Sequence, residues 1–392
     1  MGVRKNQATL TAQEKQNFVN AVLALKANGT YDQFVQQHRD SMAMSNMWAH
    51  RGPAFLSWHR EFLRRFELAL QAVNPTVDLP YWDWTIDNST TSSIWGSNFM
   101  GGNGRQSDGR VMTGPFAFDN GNWNLNVNDD PGQDLRRRMG QGASSLPTAA
   151  QVNQCLAVTP YDSAPWNASS NPSFRNMLEG WIGPGQIHNR VHVWVGGSMM
   201  ATTSPNDPVF FLHHCNVDRL WAIWQSMHPT EGYLPVSGGP LGHNLNDPML
   251  PWGSTATPAS VLNISSLGYS YDNMSPSTGS TTPPSGGPSG PGGGGGGCFI
   301  ATAAYGSELE PPVQFLREFR DNVVLQSRFK KPFEKILDEY YKFSPPIAEL
   351  MKRNKPFKYT MKYTVVWPFV ALAKATAFVA EPFVDDGKKS KQ

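Results

Sequence analysis

The chain has 392 residues, 39% of them hydrophobic, with 13 tryptophans and 33 Lys+Arg against 31 Asp+Glu for a formal net charge of +2. That length suits two or three domains and that apolar content a large core; the near-balance of charge leaves no reason to expect nucleic acid as a partner. Three cysteines, Cys155, Cys215 and Cys298, make no disulfide framework and suit a reducing compartment.

In chain order, the opening Met1 to Gln7 has no apolar h-region, so no secretory signal peptide is expected, and the protein is expected in the cytoplasm or exported by another route. A first group of histidines follows, His38, His50 and His59. The segment Trp58 to Glu67 repeats its apolar residues at helical spacing, whereas His50 precedes Gly52-Pro53 and belongs to a loop or helix end. Between about 85 and 175, many Gly, Pro and Asn residues predict long loops. Then His188 and His192 stand four apart within Gln186 to Trp194, where a helix stacks them on one face. His214 lies near the start of a helical pattern within Asn206 to Trp221. Met274 to Gly297 becomes Ser, Thr, Pro and Gly and ends in six glycines, a flexible linker. Beyond it, apolar residues recur at helical spacing around Val313 to Leu325 and Phe333 to Phe343. Val365 to Ala380 is apolar but broken by Pro368 and Lys374, too short to span a bilayer, so an amphipathic or interfacial helix is expected and membrane association is weakly supported.

Six of the nine histidines thus form two three-imidazole clusters. Imidazole suits copper, zinc, iron and nickel, and an all-nitrogen set argues against calcium, magnesium, structural zinc and iron–sulfur, which leaves copper as the leading candidate. His228 and His243 lie outside these clusters and are expected to be ordinary packed or solvated residues.

The residues themselves resemble the tyrosinases and related type-3 copper proteins. His50-Arg51-Gly52-Pro53-Ala54-Phe55-Leu56-Ser57-Trp58-His59-Arg60 is similar to that family's first copper signature and Asn206 to Trp221 to its second. Pro80-Tyr81-Trp82-Asp83-Trp84 and Val195-Gly196-Gly197-Ser198-Met199 match as well. The resemblance covers about residues 3 to 272 and is closest to compact bacterial tyrosinases. It implies a mainly α fold, a four-helix-bundle dinuclear copper core with long loops in residues 1–273. The linker 274–297 then tethers a mainly helical C-terminal domain, 298–392. It further implies that His38, His50 and His59 hold one copper and His188, His192 and His214 the other, with His213 a neighbour rather than a ligand. Two coppers could together deliver two electrons to dioxygen, the co-substrate, while the protein supplies geometry and dryness.

The same resemblance assigns proton removal from an incoming monophenol to a water held by Glu179, nine residues before His188, and by Asn189 directly after it. That pattern favours a tyrosinase acting on small phenols over a catechol oxidase or an oxygen carrier. Phe210 would stack near a bound phenol, and Val193 and Thr202 would line the entrance. No cysteine stands two residues before His50, where plant and fungal relatives form a thioether, so His50 is expected to be unmodified. Asn216, Asp218 and Glu67 are expected to accept the other N–H of the ligating imidazoles. Met42, Met44 and Met47 are expected to be flexible core filling, with copper transfer as the alternative, and Cys215 a buried small hydrophobe.

The segment opening Cys298 to Ser307 resembles a C-terminal module attached to varied bacterial proteins. Residues 298–392 carry 16 Lys+Arg and 11 Asp+Glu, the rest of the chain 17 and 20, so opposite net charges favour docking of the two parts. A lid that keeps the enzyme latent is expected, an intramolecular partner with Tyr305, or second Phe299, standing in for phenol. An attachment tag and a copper-delivery helper are the alternatives.

Overall fold

A computed structural model describes residues 2–43, 48–128, 134–183, 185–276, 347, 350–351, 354–366 and 368. The chain divides into two units, Met1–Thr282 and Pro283–Gln392. In the second, α8 (Lys355–Met361) continues into a π-helical turn, Lys362–Val366. Tyr305, Phe299, Met44 and Met47 lie outside the described residues, as does the Cys298 to Ser307 opening. Among the described residues, no helix is long and apolar enough to cross a membrane.

The first unit is built on helices that start and stop for local reasons. Thr11 and Glu14 close a reciprocal capping box on α1 (Ala12–Ala27), which satisfies two otherwise orphaned N–H groups. α2 (Thr30–Ala43) follows and packs on α1. α3 (Phe55–Val73) buries Phe55, Trp58, Phe62, Phe66 and Leu70 along one stripe and exposes residues such as Leu68 and Val73 on the other. α4 (Ala149–Leu156) has its own capping box from Thr148 and Gln151. α5 (Phe174–Glu179) begins on the Ser173 hydroxyl and ends at Gly180, whose φ of 106° no L side chain adopts cheaply. α6 (Ile187–Val195) ends at Gly196. α7 (Val209–Met227) is buried on all sides from Val209 to Trp224, which makes it the central helix.

α3 packs against α7 and α1, and α6 against α5 and α7. The expected bundle is therefore present, with α2, α3, α6 and α7 surrounding the histidines. One buried guanidinium ties distant parts of the long irregular region together. Arg137 donates to both oxygens of Asp207 at 2.7 Å and to the carbonyls of Met100 and Gly101 at 2.9 and 2.8 Å.

Two short parallel strands, β1 (Gly2–Arg4) and β2 (Tyr269–Tyr271), tie the start of this unit to its end, with Arg4 opposite Tyr271. Beneath them lies a closed ionic cluster. Asp218 on α7 accepts from Arg60 Nε at 2.5 Å, Arg4 Nη1 at 3.2 Å, and the hydroxyls of Tyr269 and Tyr271 at 2.7 and 2.5 Å. Three of these donors converge on Oδ2, and Arg60 holds Oδ1. Burial pushes the Asp218 carboxyl up, but Arg60 and Arg4 pull it below its ordinary value.

Candidate metal centre

Each helix of the bundle brings a histidine inward: His38 from α2, His59 from α3, His188 and His192 from α6 and His214 from α7. His50 comes from the turn before α3, as the Gly52-Pro53 pair predicts. All are buried except His192, which is half-buried. His59 stacks on His214 with ring centres 4.3 Å apart, so the two triplets face each other.

In four of the six rings a main-chain carbonyl decides which nitrogen carries the proton. Nδ1 of His38 donates to the Thr202 carbonyl at 2.7 Å, His59 to Phe55 at 2.8 Å, His188 to Glu179 at 3.1 Å and His192 to Met199 at 2.8 Å. A carbonyl only accepts, so each Nδ1 holds the hydrogen and each Nε2 keeps a bare lone pair. Nε2 of His38 and of His59 are buried without a partner. In the second triplet the three Nε2 atoms stand 3.1, 3.2 and 3.3 Å apart. At most one N–H, from His214, can lie among them, so lone pairs face lone pairs.

A cation resolves that repulsion. A point equidistant from three atoms so spaced is roughly 1.9 Å from each, close to the ~2.0–2.1 Å of a metal–imidazole bond. The ligand nitrogens of His38, His50 and His59 likewise lie within 4.8 Å of one another. No thiolate or carboxylate joins either set among the described residues, so the donors fit a metal that favours imidazole, copper included. His213 lies in the second cluster and stacks on His188 at 5.1 Å. However, Trp84 Nε1–H donates to its Nδ1 at 3.1 Å, so Nε2 carries the proton and has no lone pair to offer.

Burial holds all six imidazoles far towards the neutral form, His38 down to about 3 and His192 to about 4. An unfolded histidine takes up a proton below about pH 6.5 and these folded ones do not, so folding weakens as pH falls through that value. The metal-free protein is therefore expected to melt at sharply lower temperature at pH 5 than at pH 7, and bound metal, which also keeps the folded imidazoles proton-free, raises the melting temperature without flattening that slope. A flat melting temperature across that range, read by circular dichroism with and without chelator, would contradict the neutral buried imidazoles.

Two braces link the triplets, the first through a ring of each and the second through a ring of one and the backbone beside a ligand of the other. The segment after α6 offers the Met199 carbonyl to His192 and the Thr202 carbonyl to His38. It reaches them through Gly196 and Gly197, at φ 66° and 56°, and a Cβ on Gly197 would sit 2.2 Å from the Arg136 carbonyl oxygen. This is the physical content of the Val195 to Met199 motif. Glu179 is the second brace. Its carbonyl holds His188, while its carboxylate accepts from the Arg51 N–H at 2.5 Å and from Arg175 Nη1 at 3.0 Å. Burial pushes its carboxyl up, against the pull of Arg175 and the Arg51 N–H.

Other expected residues fall as follows. Asn189 turns its Oδ1 to His188 Nδ1 at 3.0 Å. Phe210 is fully buried and stacks on His214 at 4.0 Å, with His38 at 5.0 Å. Val193 and Thr202 are half-buried. Phe55 had no assigned role, yet its ring centre is 4.9 Å from both His59 and His188, between the triplets. Its only signal along the chain is its position four residues before a ligand. The expectation that Asn216, Asp218 and Glu67 accept from the imidazoles is corrected. Asn216 accepts from Arg219, Glu67 from Arg4 and the Leu79 N–H, and Asp218 from Arg4, Arg60 and two tyrosines. Buried guanidiniums claim these groups before neutral imidazoles do, because leaving a buried cation unpaired costs more. Cys215 turns its thiol to the Leu79 carbonyl and the Tyr271 hydroxyl.

A helical bundle that sets two histidine triplets face to face, with a bare Nε2 in at least four of the rings, has the donor set of a protein that holds metal through imidazoles. Residues 28–227 match the family model for the common central domain of tyrosinase. The chain is 54% identical over 266 residues to a tyrosinase of Streptomyces antibioticus, covering 67% of this chain and 96% of that one. It is 45% identical over 305 aligned residues to the grixazone synthase of Streptomyces griseus, covering 69% and 99%. A polyphenol oxidase from Thermothelomyces thermophila shares the fold, with a TM-score of 0.54 at 24% identity over 69% of this chain and 88% of that one. The chain belongs to the tyrosinase family, and with it to the copper-dependent oxidases.

Proposed function

We propose that the chain hydroxylates monophenols at the ortho position and oxidises o-diphenols to o-quinones, with dioxygen as co-substrate and one copper ion in each histidine triplet. The observation that carries this reading is the facing of the two triplets, His59 against His214 at 4.3 Å, with carbonyl-fixed tautomers that leave Nε2 free. Copper, when bound, supplies a one-electron change at each site and so two electrons together. The chain's own groups do the rest. Phe55 and Phe210, fully buried beside the rings, keep water from the gap between the triplets. The Thr202, Phe55, Glu179 and Met199 carbonyls hold the imidazoles in position before substrate arrives.

A monophenol must lose its hydroxyl proton, and the Glu179 carboxylate accepts it through a water that Asn189 helps to hold. Supporting this, the two residues flank His188, and the Glu179 carboxylate has a lone-pair site beyond those given to Arg51, Arg175 and the Trp181 side chain. Glu179→Gln keeps the carbonyl brace and an acceptor for the Arg51 N–H while removing the base. That variant and Asn189→Asp are expected to lower monophenol turnover at least about tenfold more than diphenol turnover, within the range general base catalysis contributes, at unchanged copper content. Equal losses on both substrates, or loss of copper, would make the two residues structural.

A further inference from the structure

We infer that His243, outside every sequence motif, is a positioning residue for His50. The inference rests on reading the first triplet as a copper site. His50 differs from His38 and His59 in that its Nδ1 is buried with no hydrogen-bond partner. No carbonyl orients this ring, so its place depends on the turn that carries it.

That turn is held from three remote elements. The Arg51 N–H donates to Glu179 while Arg51 itself adopts a left-handed φ of 59°. The Tyr161 hydroxyl donates to the Pro53 carbonyl at 2.8 Å. The Ala54 N–H, at the start of a helix with no side-chain cap, donates to His243 Nδ1 at 3.2 Å. The His243 ring also covers Gly52, where an added Cβ would stand 2.5 Å from its Cε1. The adjacent Gly242 packs on Trp48, two residues before His50 as Gly52 is two after it. Residues 242 and 243 therefore grip both shoulders of the ligand turn.

The gripping loop is itself ordered. The Tyr233 hydroxyl donates to the His243 carbonyl at 2.8 Å, and Asp247 accepts from the Gly242 and Asn244 N–H groups at 2.8 and 3.1 Å. His243 is buried. An unprotonated Nδ1 on a ring packed against a glycine is a contact that an aliphatic side chain fills in volume but cannot make. Asparagine, with its amide oxygen near the Nδ1 position, retains the acceptor.

The test uses the full chain loaded with copper and titrated with a copper chelator. In His243→Leu one of the two coppers is expected to be lost 10- to 100-fold more readily, the scale seen when groups that orient a ligand are removed, and the other to be unchanged. His243→Asn is expected to restore most of that affinity, and Gly52→Ala, which displaces the ring, to mimic the leucine variant should the latter not fold. Diphenol kcat falls with KM unchanged. Two coppers held as in the wild type by His243→Leu, or equal weakening of both, overturns the positioning role while leaving the copper reading intact. A wild-type chain that takes up no copper overturns both.

Discussion

His214→Ala is expected to reduce bound copper from two ions per chain to one and to bring phenol turnover down to background. Its Nε2 stands 3.2 Å from that of His188 and 3.3 Å from that of His192, and without it two nitrogens remain where three converged. The ring also stacks on His59, so its loss opens the wall between the triplets. Both sites must act together for a two-electron reaction, which is why losing one ion removes the activity and not half of it. The informative contrast is its neighbour. His213→Asn keeps an acceptor for the Trp84 N–H and removes no lone pair aimed at the cluster, so both ions and most of the activity should remain. Metal analysis and oxygen uptake on the two variants decide the matter: two ions in His214→Ala, or one in His213→Asn, would exchange the roles assigned to these residues.

Asp218→Ala is expected to destabilise the fold by about 3–5 kcal/mol, the cost of removing one partner from a buried ion cluster. Arg4 and Arg60 are wholly buried, and both donate to Asp218. Arg4 still has Glu67 at 2.8 Å, but Arg60 loses its only carboxylate and keeps carbonyl and amide oxygens. The two tyrosine hydroxyls that fasten β2 lose their acceptor as well. For a unit of this size the melting temperature should fall by roughly 10 °C. Since no histidine touches Asp218, the copper affinity of whatever remains folded should be nearly unchanged. A variant that melts as the wild type, or that loses copper first, would return Asp218 to the imidazoles.

The fold was legible where its causes are local. The helical repeat of Trp58 to Glu67 lies inside α3, the His188 and His192 pair lies inside α6, and the repeat of Asn206 to Trp221 overlaps α7. The region from about 85 to 175 reads as loop because glycine, proline and asparagine resist regular structure, although α4 forms within it. One tie that holds it, Arg137 against Asp207, spans 70 residues and leaves no trace in either neighbourhood.

Along the chain alone, the donor chemistry of the centre was already determined. Histidine type and spacing belong to the sequence, and His188 and His192 four apart share a helix face by geometry alone. The tertiary structure decided what orients those rings. The partners are main-chain carbonyls of Thr202, Phe55, Glu179 and Met199, and a carbonyl is carried by every residue, so it has no signature. It also decided against Asp218 and Glu67, which look like imidazole acceptors until Arg4 arrives from the other end of the unit. His243 meets Ala54 across 189 residues for the same reason: a contact made by chain folding is written in neither segment, only in their meeting.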